Sequence, residues 1–239
     1  MRFLGIQRPG PADLMTLVNA SCGAAAVLVV VSYAGRPVQD LATSGIRTVT
    51  LLLLVGTIFD TLDGAFARRG GGTELGGMLD SLADALSFGL APAVLLAQLG
   101  MRGATTLESA FVVVGFLCYV GCALLRLADF SSCRHADAQF TGLPSPLAAG
   151  LVVAIAFLTT SPVAVAVGLG VVGLMMVSRL AYPKQRGPVV AAALFAWVFG
   201  IAGTLGAYDL RIAAVVMLFV IGIVMPALPA LVPHERAHV

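Results

Sequence analysis

The stretch DTLDGAFARRGGGTELGGMLDSLAD, residues 60–84, decides the fold and the chemistry of this chain. It holds four aspartates, Asp60, Asp63, Asp80 and Asp84, each within or beside a long apolar run. An ionisable side chain at membrane depth is costly and usually faces a cavity, a partner or an ion. Four of them in one short stretch therefore predict a shared site.

The spacing of the residues in this stretch follows the helical repeat in two rows. The first row has the spacing i, i+3, i+4, i+7, i+8 and comprises Asp60, Asp63, Gly64, Ala67 and Arg68. The second row has the spacing i, i+4, i+8 and comprises Gly76, Asp80 and Asp84. Each row lies on one face of its helix. The short glycine-rich turn at residues 69–75 predicts antiparallel neighbours, so the carboxylates converge near one end of both helices.

Oxygen-only ligands of this kind favour a hard divalent cation, Mg²⁺ or Mn²⁺, over zinc. Four carboxylates can hold two ions about 3.5–4 Å apart, the arrangement that clamps an in-line phosphoryl displacement. Arg68 adds a planar positive fork suited to a pyrophosphate, and Gly64 and Gly76 leave room for a ligand. Two other interpretations remain: an intramembrane ion pair of Arg68 with one aspartate, and a cation or proton relay in a transporter.

The composition of the whole chain predicts that its solvent is lipid. Of 239 residues, 59% are hydrophobic and only 11% are charged, against about a quarter charged in soluble domains. The mean hydropathy is +0.99. A net charge of +2 gives no reason to expect a nucleic-acid partner.

Eight apolar stretches predict an all-α, polytopic transmembrane bundle of about eight helices in a single domain, residues 1–239. They lie at about 13–34, 46–68, 76–99, 107–128, 145–160, 163–180, 188–206 and 211–232. Pro162 separates the fifth from the sixth, which predicts a tight helical hairpin.

The basic residues predict the orientation of these spans. With a cytoplasmic N-terminus, only Arg36, Arg47, Arg102 and Arg211 face outward, and the other ten of the 14 Lys and Arg face inward. Both termini and the aspartate end of the bundle are therefore expected on the cytoplasmic side of the cell (inner) membrane.

The pattern Asp60-x-x-Asp63-Gly64-x-x-Ala67-Arg68, then Gly76-x-x-x-Asp80-x-x-x-Asp84, resembles the signature of the CDP-alcohol phosphotransferases. The runs LMTLVNASCG (14–23), LDSLADALSFGLAPA (79–93), TGLPSPLAAG (141–150) and LMMVSRLAYPK (174–184) are similar to bacterial phosphatidylserine synthases. This resemblance implies a six-helix core at about 10–185, with extra helices at about 188–232.

The resemblance also implies an activity and a set of roles. The reaction would transfer the phosphatidyl group of CDP-diacylglycerol to a small polar alcohol, serine first, releasing CMP. Asp60, Asp63 and Asp80 would bind two metal ions, and Asp84 would complete that site and act as general base. The CDP moiety would contact Gly64, Ala67, Arg68 and Gly76. Family members are generally homodimers in contact with membrane lipid, and the same is expected here.

One departure from the family pattern leaves the acceptor open. Many phosphatidylserine synthases carry R-L-A-R-F-N where residues 126–131 read RLADFS, so Asp129 replaces an arginine. Arg126 remains able to receive the serine carboxylate, whereas Asp129 suits a cationic amino group, as in phosphatidylcholine synthases. Choline, another amino alcohol or a polyol therefore stays an alternative acceptor. Alternatively, Arg126 and Asp129 form an ion pair at the helix end.

Overall fold

Six helices make up most of the described part of this computed structural model, which comprises residues 2–3, 6–7, 9–71, 73, 75–132, 142–178, 212 and 215–216. They are α1 (Pro11–Ser32), α2 (Val38–Arg69), α3 (Gly76–Met101), α4 (Thr106–Ser132), α5 (Ser145–Leu158) and α6 (Pro162–Val177). A short antiparallel pair, Arg2–Phe3 with Ile6–Gln7, precedes them. The predicted all-α bundle is confirmed. The stretches at 188–206 and 211–232 lie outside the described residues, apart from residues 212, 215 and 216.

Four of these helices, α1 to α4, are long and apolar enough to cross a membrane. They keep large apolar side chains on the outside: Leu28, Leu107 and Leu125 are each more than 60% exposed. Such surfaces suit contact with lipid rather than with water. The shorter apolar helices α5 and α6 are joined by only three residues, and Gly168 of α6 packs against Ile155 of α5. The hairpin predicted at Pro162 is therefore confirmed.

Helix α3 is the central helix of the bundle. In its most apolar segment 61% of the residues are buried, whereas the corresponding share is 33% in each of α1, α2 and α4. Its second half, Ala91–Met101, is buried nearly throughout and packs against α4, α5 and α6. This anchoring fixes the first half of the same helix, which carries Asp80 and Asp84.

Three π-helical turns interrupt α2 and α3, at Leu41–Gly45, Ala67–Gly71 and Ala85–Leu90. The second contains Ala67 and Arg68 of the first row, and the third begins directly after Asp84. Turns of this kind are rare and are found frequently at functional sites.

The two ends of the bundle differ in chemistry. At one end, Arg102 donates hydrogen bonds to the main-chain carbonyls of Arg36 and Tyr33, which ties the turn after α3 to the turn after α1. The opposite end holds the C-terminus of α2 and the N-terminus of α3. The aspartates of both helices therefore meet there, as the sequence predicts.

Candidate active site

Asp60 of α2 and Asp80 and Asp84 of α3 form one cluster. Each offers a carboxylate oxygen, and the three oxygens lie within 4.8 Å of one another. The carboxyls of Asp60 and Asp84 are in hydrogen-bond contact. Two carboxyls this close must share either a proton or a cation, because like charges at this distance cannot both persist unscreened. Since Asp80 and Asp84 are four residues apart, they point only about 40° apart around the helix axis.

Asp63 lies beside this cluster but faces another helix. The three-residue step from Asp60 turns its side chain by about 60° around the axis of α2. It is only 6% exposed, and its Oδ2 accepts a hydrogen bond of 2.6 Å from the hydroxyl of Thr16 on α1. Its charge still acts on Asp60 and Asp80. Its predicted role as a metal ligand stays a prediction.

Helix α1 supplies a polar group that the sequence prediction missed. Asn19 is fully buried, and its Nδ2 donates to Oδ1 of Asp84 at 3.3 Å. Its main-chain carbonyl accepts a 2.7 Å hydrogen bond from the Ser87 hydroxyl of α3. A polar amide in the middle of an apolar stretch was the available signal, because such a group needs a partner in lipid.

A second contribution from α1 organises the turn between the two rows. Asp13 is 1% exposed and accepts hydrogen bonds from the main-chain N–H of Gly10 and the hydroxyl of Thr73. A Cβ on Gly76 would lie 3.2 Å from Oδ1 of Asp13, which is tighter than ordinary contact. Gly76 therefore makes room for a side chain of the protein itself as well as for any ligand.

The remaining first-row residues lie at the exposed rim of the cluster. Ala67 and Arg68 are both exposed, within the π-helical turn that ends α2. A Cβ on Gly64 would lie 3.3 Å from Nη1 of Arg68. The absent side chain of Gly64 thus leaves room for the guanidinium of Arg68 to lie back along α2.

The residues predicted to bind the acceptor, Arg126 and Asp129, line a common cleft of about 580 Å³ between the ends of α4 and α6. Nη1 of Arg126 donates a 2.6 Å hydrogen bond to the Ser145 hydroxyl at the start of α5, while its buried Nε has no hydrogen-bond partner among the described residues. Arg126 also interacts electrostatically with Asp84. Among the described residues, the hydrogen-bond partner of Arg126 is thus Ser145, and the charge of Asp84 acts on it from the aspartate cluster.

The donor set of the cluster fits a divalent cation of the Mg²⁺ or Mn²⁺ type. It consists of carboxylate oxygens from Asp60, Asp80 and Asp84, with no sulfur or imidazole among them. Hard cations prefer this chemistry. A cation there would also relieve the repulsion among the three acids.

Comparison with known proteins identifies the family. The family model described as CDP-alcohol phosphatidyltransferase matches residues 11–181. Archaetidylserine synthase of Methanothermobacter thermautotrophicus is 32% identical over 180 residues, which cover 73% of this chain and 70% of that protein. Proteins named CDP-diacylglycerol--serine O-phosphatidyltransferase are 33% identical in Methanocaldococcus jannaschii, covering 63% of this chain and 69% of that one, and 29% identical in Bacillus subtilis, covering 72% and 89%. With the matched model extending over α1 to α6, the chain belongs to the CDP-alcohol phosphatidyltransferase family.

Proposed function

We propose that this chain is a CDP-diacylglycerol–serine O-phosphatidyltransferase of phospholipid biosynthesis. The serine hydroxyl oxygen would attack the phosphorus that carries the diacylglycerol, the bond from that phosphorus to CMP would break, and phosphatidylserine and CMP would leave. The main support for this proposal is that Asp60, Asp80 and Asp84 converge at one end of a membrane helix bundle of this family. The names of the relatives support serine as the acceptor.

The family is metal-dependent in general, and the aspartate cluster is where this chain would hold the ions. Asp60, Asp63 and Asp80 would be the principal ligands, once the oxygens of Asp63 turn from Thr16. Asp84 would complete the site more loosely, so that it can still take a proton. Two bound Mg²⁺ or Mn²⁺ ions would supply the positive charge that neutralises a pyrophosphate. Arg68, beside Gly64 and Ala67 at the exposed rim, would hold the CDP moiety through its planar fork.

Asp84 would take the proton of the acceptor hydroxyl as the new bond to phosphorus forms. A hydroxyl is a poor nucleophile until a positioned base removes its proton. Asp84 is suited to this because it lies one helical turn deeper along α3 than Asp80, and its charge acts on Arg126 of the acceptor cleft.

The cleft supports an acceptor with both charges. Arg126 offers a cation for a carboxylate, and its buried Nε has no hydrogen-bond partner among the residues that the structure describes. Asp129 lines the same cleft and would offer an anion for an ammonium group. Serine carries both groups on its α-carbon. Choline carries only the cation and would bring no carboxylate to Arg126, which would leave this partly buried charge without a counter-ion from the acceptor.

As a family member with four long apolar helices, the chain is an integral membrane protein. The excess of basic residues at the aspartate end supports a cytoplasmic active site in the cell (inner) membrane, with both termini on the same side. Homodimer formation and the single-domain division, with a core at about 10–185 and added helices at 188–232, belong to the same proposal.

The experiment that tests the proposal uses purified full-length protein with CDP-diacylglycerol and Mn²⁺, offered serine, choline, ethanolamine, glycerol and inositol in turn. We expect CMP release and a phosphatidyl product with serine, both abolished by EDTA. Preference for choline would assign the same chemistry to another acceptor. Failure to release CMP with every alcohol would refute the enzymatic function and leave the interpretation as a transporter. Full activity in excess EDTA would refute the metal-dependent mechanism.

Substitution of Asp84 tests its role as base. The Asp84→Asn variant is expected to keep Mn²⁺ and CDP-lipid binding and to lose turnover, mainly in kcat. If Asp84 is a metal ligand only, Mn²⁺ affinity falls instead and high Mn²⁺ restores the rate. Restoration to near wild-type rates would exclude the base role.

A further inference from the structure

We infer that Asn19 is the positioning residue that holds the Asp84 carboxyl in its working orientation. The inference rests on the proposed function, in which Asp84 removes the proton of the acceptor. The observation behind it is one hydrogen bond across two helices: Nδ2 of Asn19 on α1 donates to Oδ1 of Asp84 on α3 at 3.3 Å. The aspartate signature lies on α2 and α3 and contains no residue of α1.

The amide of Asn19 uses its nitrogen for this contact, whereas its oxygen remains without a described hydrogen-bond partner. Asn19 has no exposed surface, and its buried Oδ1 has no hydrogen-bond partner in the part of the chain that the structure describes. That oxygen lies against Gly56 of α2, where an added Cβ would approach it to 2.8 Å. A buried acceptor without a partner is unfavourable, so packing alone would favour an apolar residue here.

The direction of the amide explains why an asparagine occupies this position. The reverse orientation would put Oδ1 against a carboxylate oxygen, with two acceptors facing each other and no proton between them. The amide therefore serves Asp84 as a donor. With Oδ1 of Asp84 engaged, rotation about its Cβ–Cγ bond is restricted, which fixes the direction of a carboxyl that lies in the cluster with Asp60 and Asp80.

The backbone around Asn19 is fixed equally tightly. Its main-chain carbonyl accepts the 2.7 Å hydrogen bond from the fully buried Ser87, one turn beyond Asp84. At Gly23, an added Cβ would lie 2.6–2.8 Å from atoms of Ser87. Helices α1 and α3 thus meet backbone to backbone beside the amide, so the distance from Asn19 to Asp84 has little freedom. Outer groups that orient a reacting or ligating side chain in this way typically contribute about 10–100-fold.

The test compares Asn19→Leu with Cys22→Ala in the full-length protein. Leucine keeps the branching and the number of side-chain heavy atoms of Asn19 and removes the amide, whereas Cys22 lies three residues further along α1, is also buried and packs near the same Gly56. We expect Asn19→Leu to lose about 10–100-fold in kcat and in the single-turnover rate. The KM for CDP-diacylglycerol and the Mn²⁺ affinity, measured by electron paramagnetic resonance, should stay within about threefold. Its melting temperature should equal or exceed that of the wild type, since the orphaned oxygen is gone. Cys22→Ala should keep kcat within about twofold.

Three results would overturn the inference. One is a kcat for Asn19→Leu within about twofold of wild type, and another is a Mn²⁺ affinity that falls in step with kcat. The third is a further loss of kcat when Asn19→Leu is added to the Asp84→Asn variant. We expect no further loss there, because the two residues act as one unit. If Asn19→Leu does not fold, Asn19→Ala is measured by the same criteria. If the wild-type protein does not release CMP, the proposed function is refuted instead. The Mn²⁺ affinity and the melting temperature of Asn19→Leu would then still be compared with those of the wild type.

Discussion

Gly23→Ala is expected to push α1 away from α3 and to slow the reaction without touching an aspartate. An added Cβ at Gly23 would lie 2.6 Å from Oγ, 2.7 Å from Cα and 2.8 Å from the main-chain nitrogen of Ser87. Two of these three atoms are backbone, so no change of rotamer can relieve the contact. Ordinary contact begins at 3.4 Å. The helices must therefore separate by roughly 1 Å at this point, as overpacked cores do.

The magnitude follows from what this separation breaks. The hydrogen bond from Asn19 to Asp84 already measures 3.3 Å, so a further 1 Å takes it beyond hydrogen-bond distance. A displacement of about 1 Å at a reacting group can reduce the rate about 100-fold. Overpacking typically costs about 1–3 kcal/mol in stability. That cost corresponds to a melting temperature lowered by about 2–12 °C for a chain of this length.

The matched control is Gly77→Ala on α3. Gly77 is exposed, adjacent to the signature residue Gly76, and an added Cβ there would meet nothing within 4 Å. Both variants are measured for melting temperature, for Mn²⁺ affinity and for single-turnover CMP release. Gly77→Ala should match the wild type. If Gly23→Ala matches it too, the close approach of α1 to α3 does not control the site, and the reasoning is refuted.

Three further substitutions test separate parts of the site. Asp60→Asn should weaken Mn²⁺ binding, measured by electron paramagnetic resonance, and reduce CMP release by at least about 100-fold, because it removes one of three anionic ligands; unchanged Mn²⁺ affinity would contradict this. Arg68→Lys should raise the KM for CDP-diacylglycerol about tenfold, since lysine keeps the charge and loses the planar fork; identical kinetics would displace Arg68 from the pyrophosphate. Asp129→Asn should raise the serine KM with an unchanged KM for the CDP-lipid; a lower melting temperature with an unchanged serine KM would show a structural role instead.

The part of the site predictable from the sequence is the part governed by local helical spacing. Asp80 and Asp84 repeat at four residues, and the short turn before them fixes α2 and α3 as neighbours. Their convergence with Asp60 was therefore predictable and is observed. The bounds of the helices followed from the apolar stretches to within a few residues, except that α2 begins at Val38 rather than near 46, because a π-helical turn at Leu41–Gly45 continues the helix through polar residues.

The contributions of α1 could not be obtained from spacing. Thr16 and Asn19 reach Asp63 and Asp84 across 47 and 65 residues of chain. Such contacts depend on which face α1 turns to α2 and α3, and α1 is apolar almost all round, so its pattern does not select a face. The individual polar residues were the only local indication. For the same reason, the sequence did not predict that Asp63 faces Thr16 of α1 rather than the other three aspartates.

The cost of gathering acids in an apolar bundle explains where in the fold they lie. Asp80 and Asp84 gain little from their own surroundings, because three neighbouring carboxyls repel one another and desolvation disfavours each charge. They nevertheless stay in register since they extend from the same helix as Ala91–Met101, which is packed on all sides by α4, α5 and α6. The apolar half of α3 thus holds the polar half in a position that the acids alone would not adopt. The amide of Asn19 then sets the direction of the last of them.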